Sequence, residues 1–359
     1  MKLEPGATIG IIGGGQLGRM LALSAAKFGF KTAILDPAAN APAFQCANTS
    51  IVAKYDDEAG LAQLAKLSDV VTYEFENVPD SALDYLGGKV SIHPGKKALS
   101  ISQDRLVEKN FLNDLGITTA PFAEVSDTKP TGQALADMAG RGIVKTRRFG
   151  YDGKGQIRVS IDDANTIAQA DELAKSTPCI LEGFVEFERE VSLIAARATN
   201  GSIEAYDPAE NVHKDGILST STVPANISPG LAGQMHSIAS EMLSALNYVG
   251  VIGIEFFVTN DGELLVNEFA PRVHNSGHWT EAACTISQFE QHIRAIAGLP
   301  LGNTARHSNC VMENLIGDEV SKVPEILPQA NAYLHLYGKE ETRKGRKMGH
   351  FTTITPLCD

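Results

Sequence analysis

The sequence predicts a doubly wound α/β domain followed by α+β structure, and three observations support this class. Strand, helix and strand follow one another in residues 7–36, with a glycine-rich turn after the first strand, as in a βαβ unit. From about Thr118 this alternation gives way to short strands around a glycine-rich basic loop. Residues 249–278 then contain two apolar strand-like runs around Asp261-Gly262, a strong hairpin signal. A chain of 359 residues has the length of two or three domains.

The first βαβ unit carries the turn Gly13–Gly18, which has the G-x-G-x-x-G pattern. Such a turn lets a phosphate approach a helix N-terminus, and in dinucleotide-binding proteins an acid follows about 20 residues later. Asp36, at the end of the second strand, fits that acid, so an NAD-linked oxidoreductase is one interpretation. The same turn also serves any α/β domain that binds another phosphate or packs its helix closely. The pattern alone therefore does not decide.

The next predicted strand, residues 70–79, carries Glu74 near its end. Ligands of doubly wound sheets bind beyond the carboxyl ends of the strands, so Glu74 is a candidate substrate contact, with a solvated strand end as the alternative. A helix over residues 57–67 precedes this strand. Another helix follows it, from Ser102 to a C-capping Gly116.

A basic loop spans residues 147–156, with three glycines and three cations in ten residues. Backbone N–H groups and cations arranged in this way suit a phosphate. The loop lacks the GK[ST] ending of a P-loop, so a lid over a nucleotide is the closer analogy, and a mobile surface loop is the alternative. Two strands after the loop are joined by a connector at residues 182–185, whose backbone could meet an adenine edge. Glu190 could accept from ribose hydroxyls, but spacing alone does not settle either role.

The predicted hairpin places two acids opposite each other. If Asp261-Gly262 forms a two-residue turn, Asn260 pairs with Glu263 and Glu255 therefore faces Glu268. Cross-strand Cβ atoms lie about 4.5–5.5 Å apart, so two carboxylates there repel each other unless a cation compensates them. Hard divalent ions take oxygen ligands, and we predict a Mg²⁺ site. Contact of each acid with water or a lysine is the alternative.

Helices are predicted over residues 229–246 and 279–297, before and after the hairpin. The tail then contains residues 338–350, with five cations and two acids. In a chain of net charge −12, this stretch is a candidate anion site, and a solvated charged face is the alternative.

Composition indicates an ordinary globular protein, with 43% hydrophobic and 21% charged residues. The net charge of −12 disfavours nucleic acid and membrane surfaces as partners, so an anionic ligand has to meet a local group of cations. No signal-peptide pattern and no apolar run long enough to cross a bilayer occur, so we predict no membrane span. Five scattered cysteines without CxxC spacing indicate reduced thiols and a cytoplasmic location.

Taken together, these stretches resemble the ATP-grasp superfamily and, within it, the 5-(carboxyamino)imidazole ribonucleotide synthetases, the ATPase subunits of phosphoribosylaminoimidazole carboxylase in purine biosynthesis. The resemblance covers nearly the whole chain, and the order and spacing of its motifs are specific although each motif alone is weak. The motifs are GGGQLGRM at 13–20, YEFENV at 73–78, GYDGKGQ at 150–156, EGFV at 182–185, Glu255 with Asn267-Glu268, APRVHNSGH at 270–278 and GRKMGH at 345–350. The resemblance implies an ATP-grasp fold with a Rossmann-like domain over residues 1–101, a lid subdomain over 117–185 and a C-terminal domain over 186–359 that holds the metal and bicarbonate sites.

The resemblance also implies roles for individual residues. Mg²⁺, with Mn²⁺ as a substitute, is expected at Glu255 and Glu268. The expected catalytic residues are Asp152 and, beside bicarbonate, Arg272, His274 and Asn275. The expected ATP contacts are Arg105, Lys145, Gly150, Tyr151, Asp152, Gly153, Lys154, Gly155, Gln156, Glu182, Gly183, Phe184, Val185, Glu190, His213, Asn267 and Glu268. The expected ribonucleotide contacts are Gln16, Leu17, Glu74, Tyr151 and Asp152, with Lys339, Arg346 and Lys347 around its phosphate. This assigns the N-terminal glycine turn to the ribonucleotide rather than to NAD.

One position departs from the superfamily pattern. Many members carry an asparagine two residues after the second metal-binding glutamate, where this chain has Ala270. In a regular strand Asn267 faces away from Glu268, because successive side chains point to opposite faces. We therefore expect water or ATP oxygens to complete the metal coordination.

The activity that the resemblance implies is carboxylation of the exocyclic amine of 5-aminoimidazole ribonucleotide. ATP and bicarbonate are consumed through carboxyphosphate, ADP and phosphate are released, and Asp152 handles the amine proton. A homodimer is also implied. The alternatives are a formate-dependent glycinamide ribonucleotide transformylase, an NAD-linked oxidoreductase and a non-catalytic nucleotide sensor. The oxidoreductase leaves the acid pair, the lid and the basic tail without a role, and HNSGH after Arg272 disfavours the transformylase.

Overall fold

The computed structural model describes residues 2–150 and 155–357, and three β-sheets follow one another along the chain. The first sheet is parallel, whereas the other two are antiparallel. The predicted class, doubly wound α/β followed by α+β, is therefore confirmed. None of the helices within the described part of the chain is long and apolar enough to cross a membrane.

The first sheet has five strands in the order β3-β2-β1-β4-β5. The strands are β1 (Thr8–Ile12), β2 (Lys31–Asp36), β3 (Thr49–Val52), β4 (Val70–Tyr73) and β5 (Ser91–Ile92). The helices of this part are α1 (Gln16–Lys27), α2 (Glu58–Leu67), α3 (Asp80–Leu86), α4 (Lys96–Ser102) and α5 (Arg105–Asp114). The strand predicted over 70–79 thus ends at Tyr73. The helix predicted from Ser102 begins instead at Arg105: Ser102 is the last residue of α4, and the Asp104 carboxylate caps α5 by accepting from the N–H groups of Leu106 and Val107.

The second sheet has four strands in the order β6-β9-β7-β8. Its strands are β6 (Phe122–Val125), β7 (Arg141–Thr146), β8 (Gln156–Ser160) and β9 (Cys179–Gly183). Two helices, α6 (Thr131–Ala136) and α7 (Ala164–Ser176), cover one face. The basic loop joins β7 to β8, and its residues Arg147, Phe149 and Gly150 line the cleft described below. Its residues 151–154 lie outside the described part of the chain.

The third sheet has nine strands, in the order β15-β14-β10-β12-β13-β16-β18-β17, with β11 paired to β10. The strands are β10 (Phe187–Arg197), β11 (Ile203–Ala205), β12 (Ala209–Lys214), β13 (Ile217–Val223), β14 (Gly250–Thr259), β15 (Leu264–Ala270), β16 (Ser308–Ile316), β17 (Ala332–Leu336) and β18 (Lys347–Pro356). The helices are α8 (Pro229–Ala245), α9 (Thr280–Ala283), α10 (Gln288–Ile296) and α11 (Val323–Ile326). The prediction of a single helix over 279–297 is wrong. The helix α9 ends at Ala283, and the Ser287 hydroxyl caps α10 by accepting from Glu290 N–H.

The hairpin of β14 and β15 confirms that Glu255 faces Glu268, but not by the predicted turn. Thr259 N–H donates to Glu263 O at 2.9 Å, so Thr259 rather than Asn260 faces Glu263. The turn therefore contains three residues, and the predicted two-residue turn is wrong. Gly262 closes it at φ +80°, a left-handed conformation that glycine adopts at low cost.

A β-bulge at Asn267 restores the register that the longer turn shifts by one residue. Phe256 pairs with Val266 while Glu255 pairs with Glu268, which leaves Asn267 as the extra residue. The expectation that Asn267 faces away from Glu268 assumed a regular strand, and it is wrong because the bulge interrupts the alternation. Asn267 and Glu268 line the same cleft.

The first and third sheets are held together by helix packing. Met20 and Leu21 of α1 share one buried apolar cluster with Phe289 and Ile293 of α10. Burial of such side chains stabilises a contact by about 25 cal/mol per Å² of apolar surface. Gln16 and Leu17 of the N-terminal glycine turn line one cleft with Arg272 and His274 of the loop that follows β15.

Candidate active site

A cleft of about 640 Å³ opens where the three sheets meet. This is an ordinary volume for a small-molecule site. The predicted site residues that line it are Gln16, Leu17, Arg105, Lys145, Gly150, Gln156, Glu182, Gly183, Phe184, Val185, Glu190, His213, Glu255, Asn267, Glu268, Arg272, His274, Asn275 and Lys347. Four others, Glu74, Gly155, Lys339 and Arg346, lie outside its lining. The predictions for Tyr151, Asp152, Gly153 and Lys154 fall outside the described residues.

Glu255 and Glu268 form an acid pair whose members differ in their surroundings. Arg105 Nη1 donates to Glu268 Oε2 at 2.7 Å. Although desolvation opposes ionisation, the charge of Arg105 and this hydrogen bond lower the pKa of Glu268. Burial and the charge of Glu268 raise the pKa of Glu255, whose Oε1 lies 3.5 Å from His274 Nε2. Glu255 is therefore a carboxylate whose ionisation calls for a further positive charge in the cleft.

A buried ion cluster of Glu182, Lys145 and Lys109 lies next to the acid pair. Glu182 Oε2 lies 2.9 Å from Lys145 Nζ and 3.7 Å from Lys109 Nζ, and Lys109 also donates to Asn267 O at 2.9 Å. Lys109 is only 1% exposed. Sequence reasoning missed Lys109, although its i,i+4 spacing from Arg105 on α5 places both side chains on one face. Lys109 thus fixes the bulge beside Glu268.

Two backbone N–H groups of the connector at residues 182–185 already donate hydrogen bonds within the protein. Gly183 N–H donates to Pro121 O at 2.8 Å, and Phe184 N–H donates to Arg141 O at 3.1 Å. Glu182 Oε2 is held by Lys145 and Lys109, whereas its Oε1 is buried without a hydrogen-bond partner among the described residues. The N–H groups of Gly183 and Phe184 are thus already bound within the protein, and an adenine contact of residues 182–185 stays a prediction that depends on their other backbone groups.

An aromatic wall that the sequence reasoning missed lies close to this connector. The rings of Phe187 and Phe257 stack with centroids 4.6 Å apart and an interplanar angle of 16°, and both residues line the cleft. Glu190 on β10 is paired with His213 on β12 at a point where a β-bulge turns His213 toward it. Although burial opposes it, the close pairing with the Glu190 carboxylate raises the pKa of His213. A flat apolar surface beside a polar pair suits a base and its sugar.

The N-terminal glycine turn is bound by two acids of its own domain. Asp36 Oδ2 accepts from Gly14 N–H at 2.7 Å and from Tyr55 OH at 2.8 Å, so this acid is not available to a ribose as the dinucleotide interpretation requires. Glu74 Oε1 accepts from Gly15 N–H at 2.8 Å. A Cβ atom at Gly15 would lie 2.8 Å from that same oxygen, which explains the glycine. The turn thus brings Gln16 and Leu17 to the cleft.

The basic tail meets the cleft through Lys347, the first residue of β18. Lys339 Nζ donates to Lys347 O at 2.7 Å, and Arg346 Nη1 donates to Glu341 O at 2.8 Å. Burial and the charges of Arg346 and Lys347 lower the pKa of Lys339 to about 8, against the effect of Glu74. Three cations gathered in this way favour an anion between them.

The loop after β15 presents Arg272, His274 and Asn275 to the cleft. Arg272 Nη2 pairs with Glu76 at 2.9 Å, and His274 Nδ1 lies 2.9 Å from Ser276 Oγ. Burial, then Arg272 and Lys347, lower the pKa of His274 to about 3, so its imidazole is neutral. Both polar atoms of the Asn275 amide are buried without a hydrogen-bond partner among the described residues. Such an amide is costly unless a ligand satisfies it.

Three family models match the chain. The ATP-grasp domain matches residues 110–289, the ribonucleotide synthetase preATP-grasp domain matches 6–103, and the phosphoribosylaminoimidazole carboxylase C-terminal domain matches 310–357. The three sheets and the cleft between them are the arrangement of this class. The chain is an ATP-grasp ligase.

Individual relatives narrow the class. The chain is 63% identical over 355 residues to N5-carboxyaminoimidazole ribonucleotide synthase of Brucella melitensis, covering 99% of this chain and 98% of the relative. The crystal structure of N5-carboxyaminoimidazole synthetase from Staphylococcus aureus with ADP has a TM-score of 0.94 at 39% identity, covering 99% of this chain and 94% of that chain. The synthase of Aspergillus clavatus in complex with ADP and 5-aminoimidazole ribonucleotide has a TM-score of 0.89 at 31% identity, covering 98% of this chain and 94% of that chain. The chain belongs to the N5-carboxyaminoimidazole ribonucleotide synthase family, and the resemblance predicted from the sequence is confirmed.

Proposed function

We propose that the protein carboxylates the exocyclic amine of 5-aminoimidazole ribonucleotide, using ATP and bicarbonate and releasing ADP and phosphate. The observation that carries this proposal is that one cleft joins the acid pair to the basic tail. The charge of Lys347 reaches both Glu255 and His274: it opposes the rise in the pKa of Glu255 and contributes to the lowered pKa of His274. The ADP and ribonucleotide bound together by the Aspergillus clavatus relative support the same pair of substrates.

The residues present fit a divalent cation. Glu255 and Glu268 face each other across one strand pair, and the charge of Glu268 contributes to the raised pKa of Glu255. Oxygen donors of this kind suit Mg²⁺, with Mn²⁺ as a substitute. When bound, such an ion neutralises charge on the transferred phosphoryl group. Asn267, brought to the same face by the bulge, adds an amide oxygen beside the two acids.

The roles we propose for ATP follow from this placement. Arg105 and Lys145 meet the phosphates at the cleft side of the ion cluster, and Gly150–Gln156 closes over them. The Phe187–Phe257 stack and the connector hold the adenine, and the Glu190–His213 pair lies at the ribose. For the ribonucleotide, Gln16, Leu17 and Glu74 support the imidazole end, while Lys339, Arg346 and Lys347 hold the phosphate. Tyr151 and Asp152 belong to this proposal from the sequence alone.

The reaction we propose has two steps. A bicarbonate oxygen attacks the γ-phosphorus, the bond to the β–γ bridging oxygen breaks, and ADP leaves carboxyphosphate behind. The amine nitrogen then attacks the carboxyl carbon, the bond to phosphate breaks, and the amine gives up one proton, for which Asp152 is the proposed acceptor. Arg272 and the unsatisfied Asn275 amide hold the oxygens of bicarbonate and of the carboxyl group made from it. His274 is neutral and adds no charge beside them. Closure of the basic loop excludes water, which would destroy carboxyphosphate.

We further propose that the protein acts in the cytoplasm as a homodimer. The four described cysteines are free thiols, which supports a reducing environment. The dimer rests on the sequence resemblance. Gel filtration with light scattering measures it directly.

A single assay tests the proposed reaction against its alternatives. Phosphate release is measured with ATP and Mg²⁺, with bicarbonate or formate, and with 5-aminoimidazole ribonucleotide or glycinamide ribonucleotide, while NADH absorbance is followed in parallel. We expect release only with bicarbonate and 5-aminoimidazole ribonucleotide. Release with formate and glycinamide ribonucleotide, or a change in NADH absorbance, contradicts the proposal.

Replacement of Lys347 by alanine tests the phosphate site. We expect Lys347→Ala to raise the KM for the ribonucleotide about 10- to 100-fold, because a charge-assisted contact to phosphate contributes about 1.5–3 kcal/mol. The KM for ATP is expected to change far less. Lys344→Ala removes an exposed cation of the same tail and is the matched control. An equal rise of both KM values for Lys347→Ala eliminates this phosphate site.

A further inference from the structure

Several histidines of the chain lie outside the cleft, in motifs that the proposed reaction leaves without a role. His278 ends the HNSGH motif and His350 ends GRKMGH. Their rings lie with centroids 4.8 Å apart, and the ring of His335 on β17 stacks on His350 at 5.5 Å and an interplanar angle of 18°. Glu281 of α9 reaches the same place, and none of Glu281, His335 and His350 lines the cleft.

Three atoms of this cluster have the spacing of ligands around one metal ion. Glu281 Oε2 lies 3.0 Å from His335 Nδ1 and 3.9 Å from His350 Nε2, and the three ligand atoms lie within 4.8 Å of one another. Ligands of a tetrahedral ion with bonds of about 2.0–2.1 Å are separated by roughly 3.3 Å. The 3.9 Å separation is too long for a hydrogen bond but suits two ligands of a shared ion.

A neighbouring hydroxyl orients the most buried ligand. Tyr337 OH lies 2.9 Å from His350 Nδ1. In the tautomer whose Nδ1–H donates to this hydroxyl, the lone pair of Nε2 faces Glu281. Histidine ligands in metal sites commonly donate their other ring N–H in this way, which fixes the tautomer. His350 is 2% exposed, whereas the side chains of His335 and Glu281 are 19% and 30% exposed. The cluster therefore has one fully buried member, His350, and is open to solvent on the side of His335 and Glu281.

We propose that Glu281, His335 and His350 form a binding site for a divalent transition metal of the Zn²⁺ type. Two imidazoles and one carboxylate favour such ions over Mg²⁺, and the open side leaves a fourth position for water. His335 binds through Nδ1 after its proton moves to Nε2, so no net proton has to leave the ring. The ion ties α9, which follows the loop of Arg272–His278, to the start of β18.

Cobalt binding tests this site without recourse to activity. Metal-free protein is titrated with Co²⁺ in excess Mg²⁺, and visible absorption reports ligation by nitrogen. We expect one Co²⁺ per chain, displaced by Zn²⁺, with affinity at least tenfold lower in His335→Asn and in Glu281→Gln. Glu281→Gln replaces a partly exposed side chain and keeps the readout available if His335→Asn does not fold. Zn²⁺ is also expected to raise the Tm of the unsubstituted protein but not of these variants.

Two further variants separate this site from other histidines and from the cleft. His236→Asn removes an exposed imidazole on α8 and is expected to leave Co²⁺ affinity unchanged. Glu268→Gln disables the acid pair and is also expected to leave it unchanged. Absence of nitrogen-ligated Co²⁺ in the unsubstituted protein, equal affinity in His335→Asn, or loss of the signal in Glu268→Gln overturns the proposal.

Discussion

Glu268→Gln is expected to reduce bicarbonate-dependent ATP turnover by roughly 100-fold or more while the protein stays folded, a loss of the order seen when one electrostatic stabiliser is removed from a site. The substitution removes one of two facing carboxylates and leaves Arg105, which donates to Glu268 Oε2, beside a neutral amide. The acid pair is then too weakly charged to hold a divalent cation on the triphosphate. Turnover is measured as phosphate release at saturating ATP and Mg²⁺.

The matched control for this prediction is Glu263→Gln, an exposed glutamate directly after the turn of the same hairpin. It is expected to turn over normally. In the metal-free protein, Glu268→Gln should also lower the pKa of Glu255, because the charge of Glu268 is one of the causes that raise it. Near-normal turnover in Glu268→Gln, or an unchanged titration of Glu255, speaks against the acid pair as the metal site.

The hairpin shows how far sequence reasoning reaches into this site. Turn chemistry and alternation correctly predicted that Glu255 faces Glu268, yet the turn is one residue longer than predicted. The bulge at Asn267 compensates the shift. The sequence of β15 alone does not predict this bulge, because the Lys109 side chain that donates to Asn267 O lies 158 residues earlier in the chain. Pairings of this range depend on the assembled fold rather than on spacing.

Site residues that belong to a motif could be predicted from the sequence, whereas site residues that meet only through strand packing could not. Arg272 and Asn275 belong to a specific motif, so the resemblance predicted them as site residues, and both line the cleft. Phe187 and Phe257 come from different strands and meet only because β10 and β14 are neighbours. The glycine turn shows the limit of a single motif, since its pattern fits a dinucleotide site as well as other phosphate sites, and only the structure shows Asp36 bound to Gly14 and Tyr55.

Glu182→Gln is expected to lower the free energy of unfolding by about 3 kcal/mol, because it breaks a buried ion cluster and leaves two cations without their counter-charge. The side chains of Lys145 and Lys109 are 12% and 1% exposed, so solvent cannot replace the carboxylate. Urea denaturation at pH 7 measures the loss. Glu186→Gln, at an exposed position just after the connector of residues 182–185, removes a solvated pair with Arg141 and is expected to cost less than about 1 kcal/mol.

The pH dependence of this loss separates charge from shape. Burial raises the pKa of Glu182, but Lys145, Lys109 and Arg105 outweigh it, so the pKa lies below the ordinary value of 4.5. A lowered carboxyl pKa contributes stability that is present at neutral pH and disappears as the pH falls through the pKa of the folded protein. The difference between the unsubstituted protein and Glu182→Gln should therefore be constant from pH 7 to pH 5 and narrow below 4.5. A difference that does not depend on pH would assign the effect of Glu182 to packing, and the cluster would then owe its stability to the fit of its side chains rather than to their charges.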